Sequence, residues 1–445
     1  MLAKKKVEIL CALLTAIALV PVWLYPWFPT QDGPSHLYNA MLLADMGETT
    51  SAVFERVVAI FPNWSVYGLL ALFGRIFTPF IALRIVISLC VVAIPASTLY
   101  LQKSFKPEAD ETALIGVMLA FNSLLFFGFL NFLLGCALFA FTVGARMRRR
   151  PVAALYLLLV LCYLTHGLAF SATLMALALI AILERRWKDL AVLAPAFAAA
   201  AIDVWPRLHS DRGYQSIAWH LQRLAALDVF AYFRAVHANI ASAMSVVLSI
   251  AVVITLRRRR PWIAIALSSM LLAMFFISPW AYTAPRSQGL WLNERFLLLF
   301  VMTLPAWLAR QRVLGAVLAL LTVVHLVTTW RDVANISGNI AELTACRSAV
   351  ADHATLDVVG QPPKIVTKLD PLRHAPAYLA AGRDIAYLPN YEAELEDFPI
   401  RFRGANRPRA DFILVWRGAR ADGTVVCEGS GFRLLRAMDY SPRAH

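Results

Sequence analysis

The chain has 445 residues, 60% of them hydrophobic and only 16% charged, with a mean hydropathy of +0.63. That is too apolar for an ordinary soluble domain of this length. The formal charge of +14 would suggest nucleic acid in a soluble protein, but here the cations fall in short clusters between apolar runs, the pattern of cytoplasmic loop anchors.

Runs able to cross about 30 Å of hydrocarbon as helices are expected near residues 7–28, 80–101, 111–127, 129–146, 152–165, 168–184, 188–205, 236–256, 261–281, 295–310 and 313–330, about eleven spans. The first follows Lys4, Lys5 and Lys6, lacks a small-residue cleavage pattern and ends on Trp23, Tyr25, Trp27 and Phe28, an aromatic interface belt; it reads as a retained anchor. With the N-terminus in the cytoplasm, five basic clusters fall on the cytoplasmic side. They are Lys103 with Lys106, Arg146 with Arg148 to Arg150, Arg185 to Lys188, Arg257 to Arg260, and Arg310 with Arg312.

Directly after the first span comes "PTQDGPSHLYNA", residues 29–40, which places an acid at the mouth of a bundle with no lysine or arginine within several positions. Such a charge is costly unless paired or functional. Asp-Gly-Pro-Ser before "HLYNAMLLADM" also looks like a turn feeding a short amphipathic helix, which makes Asp32 a candidate N-cap and Ser35 a better-placed one. Both roles for Asp32 stand open. His36, one turn further on, is either a partner that orients the carboxylate or a plain surface histidine. Residues 65–77, "SVYGLLALFGRIF", carry a single charge, Arg75, and read as a helix lying along the outer interface; a second span there would turn the arginines near 148 outward.

The outer face then receives residues 29–79, 206–235, 282–294 and everything from 331 onward. The loop at 206–235, with His209, Asp211, Arg212, His220 and Arg223, reads as a solvated face whose wider role is acceptor recognition. The last segment has turn signals at Gly360 to Pro363, Asp370-Pro371 and Leu388 to Asn390, and strand-like runs "KIVTKL", "DFILVW" and "FRLLRAM". A small α/β domain is expected there. Cys11, Cys90, Cys136 and Cys162 lie in spans as small core residues. Cys346 and Cys427 in the external segment form either one disulfide or two free thiols. There is no repeat, Gly-rich phosphate loop, CxxC pair or HExxH spacing.

One anchor span, an acid just past its outer end, an amphipathic segment and a second interfacial helix entering an "ALR" span resemble the GT-C superfamily of polyprenyl-phosphate-sugar-dependent membrane glycosyltransferases, which includes protein O-mannosyltransferases and aminoarabinose transferases. Here that second segment reads "FPNWSVYGLLALFGRIFTPFIALRIVISL", residues 61–89. "YLTHGLAF", residues 163–170, resembles the family's "LTKG" turn with His166 for lysine. "NERFLLLFVMTLPAWLA", residues 293–309, resembles its "RYLLPLLPALALL" segment, which sets Arg295 at a lipid-phosphate contact. The pattern departs at "NSLLFFGFLNFLLG", residues 122–135, where Asn131 stands in place of a second acid.

The resemblance covers roughly the first 330 residues. It implies an all-α polytopic bundle of about 11 transmembrane helices in residues 1–330, with interfacial helices in the outer loop 29–79 and a small extracytoplasmic α/β domain in residues 331–445. It implies an inner-membrane, multi-pass enzyme that passes a sugar from a polyprenyl-phosphate carrier to an envelope glycan, lipid or protein, with inversion. Asp32 is then the base and Arg295 the phosphate contact. Arg84 either snorkels to the interface or lines the donor cavity. His166 either closes its turn or touches ligand. Glu294 with Arg286 either fixes the loop before Arg295 or binds substrate. Asn63, where relatives carry histidine, is also explained by helix capping. No cofactor and no resident metal are expected, because the leaving phosphate carries its charge onto the lipid. A flippase of lipid-linked sugars and a non-catalytic scaffold for envelope assembly are the alternatives; against the flippase, the spans show no inverted repeat or broken helices.

Overall fold

A computed structural model describes residues 5–57, 59, 62–106, 108–204, 210–257, 261–284 and 287–438. Arg286, His209 and Arg258 to Arg260 lie outside the described residues. Contacts divide the chain into two compact units, each drawn from three separate stretches. One comprises Met1–Val20, Ser88–Leu125 and Leu130–Trp330; the other comprises Pro21–Ile87, Phe126–Phe129 and Arg331–His445.

The first unit is helical. Among the described residues five helices are long and apolar enough to cross a membrane: Lys6–Leu24, Pro79–Phe105, Leu130–Met147, Ala235–Leu256 and Val313–Ala349, the last counted with its closing turn. Shorter apolar helices, Val152–Thr165, Gly167–Leu183 and Trp262–Ile277, fall where spans are expected.

The expected span at 111–127 is broken. It consists of a 3-10 turn at Glu111–Ala113 and two five-residue helices, Leu114–Met118 and Ser123–Phe127. Asn122 makes the break, since its amide donates to the Leu119 carbonyl at 2.8 Å and its oxygen accepts from the Leu125 amide at 3.0 Å. One side chain thereby ends one helix and starts the next. Near the basic end of Leu130–Met147, Arg146 is spent on Glu184 at 2.7 Å and Asp189 at 2.8 Å.

The helix expected at 313–330 runs as Arg312–Ala345. At 1.5 Å per residue its 34 residues extend about 51 Å, well beyond about 30 Å of hydrocarbon. No proline interrupts residues 331–345, so the helix carries on after its apolar part is finished. The C-terminal segment from residue 331 therefore begins inside a helix and not after one.

In the second unit, residues from 355 onward form a five-stranded sheet with Phe412–Trp416 in the middle. Thr355–Val359 runs parallel to Phe412–Trp416 and to the edge strand Ala386–Tyr387; Phe432–Ala437 and Gly423–Glu428 complete the other side antiparallel. The continuous apolar run of Phe412–Trp416 is buried at every position, as a central strand covered on both faces requires. The runs "DFILVW" and "FRLLRAM" are strands as expected. "KIVTKL" is not: Pro362 and Pro363 precede it and Pro371 follows, and it forms bends and coil. Cys346 and Cys427 are bonded, closing 81 positions of chain between the end of the long helix and the outer strand.

The short helix Glu48–Val53 is capped from a distance. The Asp384 carboxylate accepts from the Thr49 and Thr50 amides at 3.0 and 2.9 Å and from the Thr50 hydroxyl at 2.9 Å. Burial opposes its charge, but these bonds and His353 hold its pKa down at about 2. A Cβ on Gly47 would stand 2.2 Å from the Asp384 carboxyl carbon, whereas one on Gly68, in the helix Trp64–Ile76, meets nothing within 4 Å. Gly47→Ala is expected to lower the melting temperature and Gly68→Ala to hold or raise it. Melting curves of the two purified variants beside wild type check this.

Candidate active site

The stretch that opens the outer loop folds into the helix Gly33–Ala44, buried from Gly33 through Leu42. It is buried along most of its length where a short amphipathic helix is expected, because it packs against the helix Trp64–Ile76 and the short helix Ala377–Ala380. The Tyr38 hydroxyl donates to the Ile385 carbonyl and accepts from the Tyr387 amide, both at 2.9 Å, so it splices the helix onto the edge strand. Asn39 donates to Asn390 at 3.0 Å and to Glu392 at 2.6 Å, and receives the Asn390 amide at 2.7 Å.

Asp32 occupies the N-cap position, yet its side chain makes no capping bond. Ser35 lies inside the helix and caps nothing. The Asp32 amide donates to the Phe127 carbonyl at 3.0 Å and the Gln31 amide to the Phe126 carbonyl at 2.8 Å, which pins the carboxylate's backbone to the segment Phe126–Phe129. Gly128 makes this approach feasible: its φ is +91°, and a Cβ there would lie 2.9 Å from the Asp32 and Gly33 nitrogens. Gly128→Ala is expected to cost about 1–3 kcal/mol, read as a lowered unfolding temperature.

Around the Asp32 carboxyl stand Gln31 at 3.5 Å and the His374 ring at 3.6 Å. Burial raises its pKa to about 6; His36 pulls down, Glu392 pushes up, and Gln31 and Arg373 pull down. His374, buried and beside Arg373 and His36, is pushed down to about 3 and stays neutral. This carboxyl therefore changes charge near physiological pH, where an ordinary aspartate does not.

His36 is not a surface residue. It is 7% exposed, with Nδ1 2.7 Å from both Glu392 Oε1 and the Tyr67 hydroxyl, and Nε2 3.0 Å from the Gly128 carbonyl. Tyr67 in turn donates to Glu392 Oε2 at 2.7 Å. Glu392, fully buried in the turn Tyr391–Glu394, is the residue that sequence reasoning missed, together with Asn39, Tyr67, Asn390 and His374. The only signal nearby was the turn at Leu388 to Asn390, which spoke of backbone and not of a buried acid.

Two further candidates in this unit have structural positions. The Arg84 guanidinium donates to the Tyr25 and Pro26 carbonyls at 3.0 and 2.6 Å, just past the end of Lys6–Leu24. Asn63 precedes the helix Trp64–Ile76 in the left-handed region, φ +82°, without a side-chain cap bond.

The other candidates lie in the first unit. His166 caps the helix Gly167–Leu183: Nδ1 accepts from the Leu168 amide at 3.2 Å, and Nε2 lies 2.9 Å from Arg295 Nη1. Both neighbours are donors, and a neutral imidazole accepts at one nitrogen only, so either tautomer sets one N–H against another donor. Phe132 lies 5.2 Å from the His166 ring and 5.4 Å from the Arg295 guanidinium, centroid to group, directly after Asn131 at the start of Leu130–Met147. Asn131 is buried there.

Glu294, fully buried, lies 3.7 Å from Arg223 and 3.5 Å from the Ser123 hydroxyl. Arg223 also pairs with Asp228, and His220 is buried. The loop at 206–235 is therefore divided: Asp211 and Arg212 are exposed, as a solvated face requires, whereas His220 and Asp228 are packed inward and Arg223 is part-buried. Among the described residues no group of three or more His, Cys, Asp or Glu converges as metal ligands.

Aligned in three dimensions, the chain shares the fold of a solved structure, and five of its described helices are long and apolar enough to cross a membrane. The likeness is to a crystal structure of ArnT from Cupriavidus metallidurans bound to undecaprenyl phosphate, with a TM-score of 0.55 over 99% of this chain and 100% of that one. Sequence identity is 10%, so what is shared is the fold. No protein-family model and no curated protein matches the sequence.

Proposed function

We propose that this chain is a GT-C-type glycosyltransferase of the inner membrane that transfers a sugar from a polyprenyl-phosphate carrier to an acceptor hydroxyl on an envelope glycan, lipid or protein. The observation that carries the reading is Asp32: a buried carboxyl at a helix start that does no capping and has its pKa near 6. The GT-C fold and the undecaprenyl phosphate held by the solved ArnT support the donor class.

In a single displacement the acceptor oxygen attacks the anomeric carbon while its proton passes to the Asp32 carboxylate. The bond from that carbon to the phosphate oxygen breaks, and its electron pair leaves with the polyprenyl phosphate. The anomeric centre inverts. Arg295 and His166 are assigned to the phosphate, because an oxygen accepting from both would resolve the donor mismatch between them. The added charge leaves on the lipid, so the proposed step uses no cofactor or resident metal. The disulfide supports an oxidising, extracytoplasmic side for residues 331–445, with the N-terminus in the cytoplasm.

The test is transfer of radiolabelled sugar from membranes charged with polyprenyl-phosphate sugars, comparing wild type, Asp32→Asn and Arg295→Ala at matched protein levels. Loss in both variants with lipid binding retained by Asp32→Asn is the expected result. Equal transfer by wild type and Asp32→Asn would end the assignment. So would the absence of transfer with any donor, which would favour a flippase or scaffold.

A further inference from the structure

Glu392 sits in the C-terminal segment, 353 positions from Asn39 along the chain, yet its carboxylate is fully buried against the helix that starts at Asp32. A buried carboxylate needs a partner. The hydrogen-bond inventory around His36 identifies it. The Gly128 carbonyl can only accept, so Nε2, 3.0 Å away, carries a proton. Nδ1 faces Glu392 Oε1 and the Tyr67 oxygen, both at 2.7 Å. Tyr67 already gives its hydroxyl proton to Glu392 Oε2, so its oxygen accepts at Nδ1. Acceptors facing both ring nitrogens favour the doubly protonated ring of His36.

We infer that Glu392 and His36 are a positioning pair for the Asp32 base: the buried glutamate from the C-terminal segment holds the His36 ring protonated one helical turn from the carboxylate that receives the acceptor proton. The inference rests on the reading of Asp32 as that base. Neither member of the pair touches the reacting atoms.

The charged and titratable groups facing the Asp32–His36 wall come from three elements. The helix Trp64–Ile76 supplies Tyr67, the loop after Asp370 supplies Arg373 and His374, and the turn Tyr391–Glu394 supplies Tyr391 and Glu392. Phe126–Phe129 contributes backbone carbonyls, that of Gly128 to the His36 ring. The two tyrosines are raised by burial and stay neutral. Burial opposes the charge of His36, but Glu392 and Asp32 outweigh it and raise its pKa. The cation lowers the proton affinity of Asp32 and the glutamate raises it, with the cation the larger influence. Removing His36 alone therefore moves Asp32 upward, and removing both partners moves it less.

The experiment uses the full chain in detergent and two readouts. The first is the pH profile of sugar transfer for wild type, His36→Gln, Glu392→Gln and the double variant. His36→Gln is expected to shift the acid limb upward by about one pH unit, and the double variant to return it toward wild type. A shared structural defect would lower the plateau without this reversal. The second is the ¹⁵N spectrum of the histidine rings, with His36 assigned by its loss in His36→Gln. Both ring nitrogens are expected to be protonated at neutral pH in wild type and not in Glu392→Gln.

An unmoved acid limb in His36→Gln overturns the inference while leaving the transferase reading intact, and so does a neutral His36 ring in wild type. If wild type transfers no sugar, the reading of Asp32 fails and the inference falls with it. The ring spectrum then reports only whether the ion pair exists.

Discussion

Asp32→Asn is expected to abolish sugar transfer and, at the same time, to make the protein harder to unfold. A general base contributes about 10²–10⁴-fold to a rate, so the variant should lose at least two orders of magnitude with little change in donor binding. In wild type the rate should rise with pH through a midpoint near 6, because only the ionised carboxylate accepts a proton.

The stability effect has the opposite sign. The folded-state pKa of about 6 lies above the ordinary 3.8. The acid therefore favours the folded chain fully only below pH 3.8, and that favour is lost as pH rises toward 6. Two pKa units correspond to about 3 kcal/mol of strain at neutral pH. The neutral asparagine removes that strain, so a higher unfolding temperature at neutral pH accompanies the lost activity. A residue that merely capped its helix would behave otherwise: its replacement would cost about 1 kcal/mol and leave transfer intact. Measuring rate and melting curve on the same preparation separates the two.

The sequence showed the Asp32 end of this site and hid the other end for a physical reason. An acid after an aromatic belt, without a cation nearby, violates the rule that charges at a bundle mouth are paired, and a violation is visible locally. Its neighbours obeyed no local rule. His36 looked like a surface histidine because the group that buries and charges it, Glu392, is brought to it by tertiary folding.

The same distinction runs through the fold. Lys6–Leu24, Leu130–Met147 and Ala235–Leu256 were legible because length and apolarity alone specify a span. The break at Asn122 was not legible, because composition is blind to a single side chain that bonds backwards and forwards at once. Within the C-terminal segment "DFILVW" was legible from its unbroken apolar run. Thr355–Val359 was not, since its parallel pairing with Phe412–Trp416 depends on a crossover that no short window contains.

Breaking the disulfide is expected to have the largest effect on stability. Cys346 and Cys427 close a loop of 81 positions, for which the chain-entropy account gives about 4 to 5 kcal/mol. Cys346→Ser or Cys427→Ser should therefore lower the unfolding temperature markedly and speed proteolysis between the two positions. The loop contains Asn390 and Glu392, which hold Asn39 and His36, so loosening it should also slow transfer, with Asp32 itself untouched. The four other cysteines are buried and free, which makes the chemistry readable. Alkylation of intact cells, followed by reduction and a second label, should report one protected pair, Cys346 with Cys427, if residues 331–445 face an oxidising compartment. Two thiols open to the first label would place that segment on the reducing side of the membrane. The proposed orientation would then fall, and with it an extracytoplasmic reaction at Asp32.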